Sequence, residues 1–142
     1  MKEFAFFVQN GSVKKQAPDV HTAKATAKDC LERLELAKNI LRTQKPKYCL
    51  ENSYEAIREL IDAVLFLEGY KSFSHEASVS HLQNLGFSFF QVAQVDRLRK
   101  QRNGIKYYGE DATQKEAEEA IVLAEKTIKE LLRKKPELNH SL

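Results

Sequence analysis

Apolar residues recur at spacings of three and four along most of the chain, and this periodicity constrains the fold more than any other feature. Such spacing places side chains on one face of an α-helix. No alternating two-residue period, which would indicate β-strands, extends over any length. We therefore predict an all-α fold, an antiparallel bundle of four to five helices. The clearest stripe consists of Val20, Ala23, Ala27, Cys30, Leu34, Ala37 and Leu41.

Capping residues and breakers divide the periodic region into separate helices. Pro46 bounds the first helix, and Gly69 follows a second helix predicted over about residues 48–68. This second helix is apolar on most faces, which is typical of the central helix of a bundle. The remaining helices are delimited by Ser74, Gly86, the Ser88–Gln91 pair and the Thr113–Glu116 pair.

The same signals predict how the chain is organised. We expect an extended or hairpin-like N-terminal arm over residues 1–18, with a turn at Asn10-Gly11. The helical bundle is expected over residues 19–135 and a polar tail over residues 136–142. We expect the helix after Ser88 to be anchored by Phe89, Val92, Ala93 and Val95.

Composition narrows the class of protein. The chain has 142 residues, 42% apolar and 30% charged, as expected for one globular domain. No apolar run approaches the roughly 18 residues that a membrane span needs, so we expect a cytoplasmic protein without a membrane segment. Cys30 and Cys49 are interpreted as small buried apolar residues. Because the cysteines and histidines do not cluster, the sequence predicts no metal site and no cofactor.

A basic segment near the end of the fourth helix is the main functional candidate. Arg99, Arg102 and Lys106 recur at i, i+3 and i+7, and Asn103 and Tyr107 at i and i+4. Arginine binds phosphate through two parallel hydrogen bonds, and tyrosine can stack on a base. These residues, together with Tyr108, are predicted to bind RNA or a nucleotide. The alternative is a solvated helix face with the tyrosines packed beneath it.

Three stretches of the sequence resemble the HEPN family of small helical domains. They are ENSYEAIRELIDAVLFLEGYKS (51–72), SHEASVSHL (74–82) and RNGIKYYG (102–109). The resemblance implies a bundle of four or five helices that forms a homodimer, with the motif arginines of both subunits facing one cleft. In active members, an arginine and a histidine are taken to drive metal-independent RNA cleavage. The resemblance also implies a possible small nucleotidyltransferase partner, in a toxin–antitoxin arrangement.

The chain departs from the family pattern at the motif histidine. Arg102 and Asn103 match the motif, but Tyr107, or Tyr108 one residue further, occupies the histidine position. Histidine exchanges protons near neutral pH, whereas tyrosine, with an ordinary pKa of about 10, is a poor base. We therefore predict RNA or nucleotide binding with weak or absent ribonuclease activity. Arg102, Tyr107 and His75 are the candidate catalytic residues.

His75 is the histidine best placed to substitute for the missing one, since it begins a helix in a stretch where the family also carries histidine. Its alternative role is to cap or pack beside Ser74. We expect His81 at the surface, and we assign no role to His21 or His140.

Two further functions are carried as alternatives. One is an active endoribonuclease toxin that uses Arg102 with a tyrosine or His75. The other is a non-enzymatic partner module of a small nucleotidyltransferase. A purely structural Arg102 would instead form an ion pair with a carboxylate such as Glu59 or Asp62.

The geometry of a regular helix adds one expectation. Arg102 and Tyr107 lie about 140° apart around an unbroken helix axis, so they would not share a face. Either the helix is distorted at Gly104 or the cleft is assembled across a dimer. Because glycine allows close backbone contact, we expect a partner chain to approach at Gly104.

Overall fold

A computed structural model describes residues 1–139, and the predicted all-α fold is confirmed over this range. There are six α-helices rather than four to five, and two strands of three residues each. The helices are α1 (Phe4–Gln9), α2 (Val20–Arg42), α3 (Pro46–Glu68), α4 (His75–Asn84), α5 (Phe89–Tyr108) and α6 (Gln114–Lys134). The strands are β1 (Val13–Lys15) and β2 (Tyr70–Ser72), and a short 3₁₀-helix follows at Pro136–Leu138.

Helix α3 is the centre of the bundle, as its apolar composition predicts. It contacts α2, α4, α5 and α6. Its fully buried side chains include Leu60 and Ile61, which belong to one continuous apolar core. Although α3 has 23 residues, no helix within residues 1–139 is both long enough and apolar enough to cross a bilayer.

The predicted capping signals act as expected because they depend on neighbouring residues alone. Both predicted capping boxes are present, with the Ser88 and Thr113 side chains accepting from the backbone N–H three residues on. The Ser74 side chain accepts from the backbone of Ala77 at the start of α4. Gly69 ends α3 with a φ of 91°, a left-handed conformation that glycine adopts at no steric cost.

The first 18 residues are not extended throughout, so that expectation is wrong. Phe4 and Phe7 are buried in the apolar core on one side of α1. Val13 is also buried, and its strand β1 pairs antiparallel with β2, with Val13 opposite Ser72. A strand of three residues contains too few positions to produce a recognisable period, which explains why the sequence did not indicate it.

Other expectations about burial also need correction. Of the four predicted anchors of α5, Val92 and Val95 are buried, whereas Phe89 and Ala93 are exposed. Leu98 and Ile105 are buried on the same helix. Val20 is exposed at the start of α2. The predicted polar tail contains a buried Leu138, whereas residues 140–142, including His140, lie outside the described range.

The position of α3 predicts a large difference between two chemically identical substitutions. Leu60→Ala removes a fully buried side chain and should lower the free energy of unfolding by about 2–5 kcal/mol. Leu36→Ala, at a site that is 47% exposed, should lower it by about 0.5 kcal/mol or less. Urea denaturation followed by circular dichroism measures both values, and equal losses would contradict the central placement of α3.

Candidate functional site

Arg102 points inward from α5 towards α3 rather than into solvent. Its side chain is only 7% exposed, and its Nη2 lies 2.8 Å from Oε1 of Glu55. Its Nη1 donates to Oδ1 of Asn103 at 3.3 Å. The contact with Glu55 is an ion pair without hydrogen-bond alignment, since this buried oxygen accepts no hydrogen bond from the described residues. The guanidinium of the family motif is therefore buried and paired with a carboxylate.

Glu55 is the junction of a polar network that joins three helices. Its other oxygen, Oε2, accepts from Arg58 Nε and Nη2 at 3.1 and 2.8 Å. Arg58 Nη1 donates to Asp62 Oδ2 at 2.6 Å, and Asp62 Oδ1 accepts from Ser78 Oγ at 2.7 Å. The network thus runs from Arg102 on α5, through α3, to Ser78 on α4.

Arg102 pairs with a carboxylate, as expected for a structural arginine, but its partner is neither Glu59 nor Asp62. Glu59 instead forms an ion pair with Arg33 on α2, and Asp62 is occupied by Arg58. Neither Glu55 nor Arg58 was among the residues predicted for the site from the sequence. The available signal for this part of the network was the spacing of Arg58, three residues after Glu55 and four residues before Asp62.

Charge is nearly balanced within this network. Burial acts to raise the pKa of Glu55, but the Arg58 and Arg102 guanidiniums outweigh it and hold that pKa below its ordinary value. Burial raises the pKa of Asp62, and the hydrogen bonds from Ser78 and Arg58 offset this only in part. Two arginines therefore face two carboxylates, and the buried cluster adds little positive potential to the surface.

His75 is linked to this network through Tyr54. The Tyr54 hydroxyl lies 3.2 Å from Nδ1 of His75, and the two rings stack with centroids 5.8 Å apart. The Arg102 guanidinium carbon lies 5.8 Å from the centre of the buried Tyr54 ring. Burial, reinforced by the nearby Arg58 guanidinium, lowers the pKa of His75 from 6.5 to about 4. This imidazole is therefore neutral near pH 7.

Tyr107 contacts Arg102 despite the angle between them on the helix. The guanidinium carbon of Arg102 is 5.8 Å from the Tyr107 ring centre, and Lys106 Nζ is 5.9 Å from the same ring. Helix α5 continues without a break to Tyr108, so the expected distortion at Gly104 is absent. The length of the arginine side chain bridges the difference in direction. The contact forms within one chain.

The space beside Gly104 is filled by the chain itself. A Cβ atom at this position would lie 2.0 Å from Oε2 of Glu110. The Glu110 backbone N–H also donates to the Gly104 carbonyl at 3.1 Å. The Glu110 side chain thus occupies the space that a larger residue at position 104 would take, and a substitution there would have to displace this exposed carboxylate. The approach of a partner chain at Gly104 stays a prediction.

The six predicted binding residues differ in exposure. Tyr107 and Tyr108 are 63% and 79% exposed, and Lys106 is exposed beside them. Arg99 is half-buried, and its Nε donates to Asp96 Oδ1 at 2.8 Å. The described residues therefore form a two-level site. A buried level is formed by the buried Arg102 and Tyr54 with the half-buried Glu55, Arg58 and His75 around them. An outer level holds Lys106, Tyr107 and Tyr108.

His81, on α4, is buried beside the C-terminal end of α3, so its predicted surface position is wrong. Its Nε2 lies 2.7 Å from Oε1 of Glu68. The Phe4 ring packs against it with centroids 4.4 Å apart. Because α1 covers this histidine, its burial depends on the N-terminal segment that the sequence did not predict to be helical. His21, in contrast, is exposed on α2.

The environment of His75 predicts its titration behaviour. The Hε1 proton of His75 should titrate with a midpoint of about 4 in the folded protein. NMR measures this midpoint, and the resonance is assigned by its loss in His75→Gln. A midpoint at or above the ordinary histidine value would contradict the buried, cation-flanked setting.

The lowered pKa of His75 also makes the stability of the fold depend on pH. Because the pKa of His75 is lower in the folded state than in the unfolded chain, the unfolded chain binds more protons between about pH 4 and 6.5. The contribution of His75 to the free energy of unfolding is therefore complete above this window and decreases as the pH falls through it. The wild type should lose stability more steeply than His75→Gln over this range.

The similarity of this chain to known proteins is found at the level of a protein family. The family model of the HEPN domain matches residues 23–135, which is most of the 142-residue chain. The search of curated proteins and the search of solved structures found no match. The matched region begins in α2 and ends after α6, so it includes both levels of the candidate site. The chain therefore belongs to the HEPN family.

Proposed function

We propose that this HEPN protein acts as a homodimer that binds RNA or a nucleotide at the outer surface above Arg102, with weak or absent ribonuclease activity. The observation that carries this proposal is the pairing at the motif arginine. Arg102 is held by Glu55 on one side, and an exposed tyrosine rather than a histidine lies over it on the other.

The outer level provides groups that suit a single-stranded or unpaired nucleotide. Tyr107 and Tyr108 expose most of their rings, and base stacking on such rings tolerates any sequence. Lys106 Nζ lies over the Tyr107 ring, 5.9 Å from its centre, and this exposed ammonium group can contact a phosphate. These contacts need neither a metal ion nor a general base.

The buried level is poorly suited to proton transfer. With a pKa of about 4, only about one His75 side chain in a thousand carries a proton near pH 7. It therefore cannot act efficiently as a general acid, and so low a pKa also makes it a weak base. Its Nδ1 is moreover in contact with the Tyr54 hydroxyl. Cleavage through a 2′-hydroxyl needs both functions, which supports binding rather than cleavage.

One observation favours the alternative of an active endoribonuclease. Arg102, Tyr107 and His75, the three candidate catalytic residues, are connected through Tyr54 within one chain. A rearrangement that frees Arg102 from Glu55 would expose a guanidinium beside a neutral imidazole. The cleavage assay below separates this alternative from the proposal.

The first test is RNA binding by a tyrosine variant. Tyr107→Ala should weaken binding of fluorescein-labelled single-stranded RNA by about 1–3 kcal/mol, roughly 5- to 150-fold, because one stacking ring is lost. Fluorescence anisotropy at about 50 mM salt measures the affinity, since phosphate contacts weaken steeply with salt. The tyrosine is 63% exposed, so the fold should be retained.

Phe6→Ala is the matched control. Phe6 is also an exposed aromatic residue, 41% exposed, with Lys2 Nζ 5.1 Å from its ring centre. It lies on α1, which contacts α4 and β1 rather than α5. Arg102→Ala should also weaken binding, with unfolding measured in parallel because Glu55 then loses one partner. Equal affinities for wild type, Tyr107→Ala and Arg102→Ala would refute the proposed surface.

The second test is cleavage. RNA incubated with the wild type in EDTA should remain intact on a denaturing gel. Tyr107→His places an imidazole beside Arg102 and should produce detectable cleavage. Tyr108→His is the control, because no ring contact with Arg102 is found for Tyr108 within residues 1–139. Cleavage by the wild type that disappears in His75→Ala would instead establish the endoribonuclease alternative.

A further inference from the structure

A long groove between α5 and α6 lies on a different face of α5 from Arg102. Three adjoining concavities share Gln94 and Leu123 and follow the two antiparallel helices. The two larger ones each have a volume of about 500 Å³. From Glu116 to Arg133, α6 rises about 25 Å along the groove, which is the length of a helix of about 17 residues.

The end of the groove near the start of α5 has an apolar floor. Phe87 is buried there, Leu123 packs against the core, and Phe90 stands at the wall with 72% of its surface exposed. Phe89, the next residue along the chain, is 79% exposed but does not line the groove. An exposed aromatic wall above an apolar floor is suited to anchoring side chains of a partner.

The rim of the same end is basic and its charges are unpaired. Lys126, Lys129 and Arg133 line it, and Glu130 is its one carboxylate. Over the range of residues 1–139, none of the three cations forms an ion pair. In contrast, the arginines around the Arg102 site are each matched by a carboxylate. The groove therefore has an excess positive charge that a bound partner can neutralise.

We propose that this groove binds an amphipathic helix of a protein partner, with apolar side chains on the floor and acidic side chains at the Lys126–Arg133 end. Charge complementarity selects an acidic partner, and the apolar floor favours a peptide over a nucleic acid, whose phosphate backbone would gain nothing from it. The other end of the groove carries three carboxylates, Glu116, Glu118 and Glu119, against two cations, Arg97 and Lys115. This asymmetry orients the helix, with its acidic part next to Phe90.

The probe is a fluorescein-labelled synthetic helix of about 17 residues, with leucines along one face and glutamates at one end. A second peptide of the same design carries lysines in place of the glutamates. Fluorescence anisotropy should show binding of the acidic peptide in preference to the basic one. Phe90→Ala should weaken binding of the acidic peptide at least about tenfold, whereas Phe89→Ala should change it by less than about twofold.

Charge reversal provides a second, independent measurement. Lys129→Glu should weaken binding of the acidic peptide and strengthen binding of the basic one. Lys28→Glu, at an exposed site on α2, should change neither affinity. Equal binding of the two peptides, or equal effects at Phe89 and Phe90, would overturn the proposal. Self-association of the protein that Phe90→Ala abolishes would also overturn it, because the groove would then bind a second copy of the chain. Displacement of the peptide by oligouridylate would overturn it as well, because the groove would then bind RNA. Tyr107→Ala leaves the groove intact, so failure of the helix-binding proposal is distinguishable from failure of the RNA-binding proposal.

Discussion

A half-buried carboxylate held between two guanidinium groups links α5 to the central helix, beside the apolar side chains that anchor it. Glu55 on α3 contacts Arg58 on its own helix and Arg102 on α5. Removing one partner of such a buried pair typically costs about 3–5 kcal/mol, because the remaining charge is left without compensation. The network continues through Asp62 to Ser78 on α4. The orientation of α4 and α5 against the central helix is thus coupled to the charge state of these groups.

If Arg102 binds phosphate as proposed, this arrangement gives it two roles that compete with each other. As a structural cation, Arg102 must stay beside Glu55, where it neutralises a carboxylate that burial alone would favour protonating. As a ligand for phosphate, it would have to share or exchange that contact. Tyr107 does not face this conflict, since its ring lies against the guanidinium and still leaves most of the residue open to solvent. The geometry therefore favours a surface that holds a nucleotide over a site that transfers protons.

Helix α5 lies between two regions with different electrostatics. Towards α3, arginines and carboxylates pair within the protein, and the cluster is close to neutral. Towards α6, the basic rim lacks intramolecular carboxylate partners within residues 1–139 and surrounds an apolar floor. The net charge of +3 does not distinguish these cases. What matters is which cations the fold has already neutralised.

The sequence by itself determined the features that depend on neighbours along the chain. Helix periodicity predicted α2, α3 and α6, the capping boxes located the starts of α5 and α6, and Gly69 marked the end of α3, because each acts within one or two turns. The motif at Arg102 indicated the family. Tertiary structure decided the pairing of Arg102 with Glu55, the burial of His81 under Phe4, the pairing of β1 with β2, and the contact of Tyr54 with His75. These contacts join residues far apart in the sequence. No local pattern specifies which distant carboxylate or ring a given side chain will contact once the helices pack.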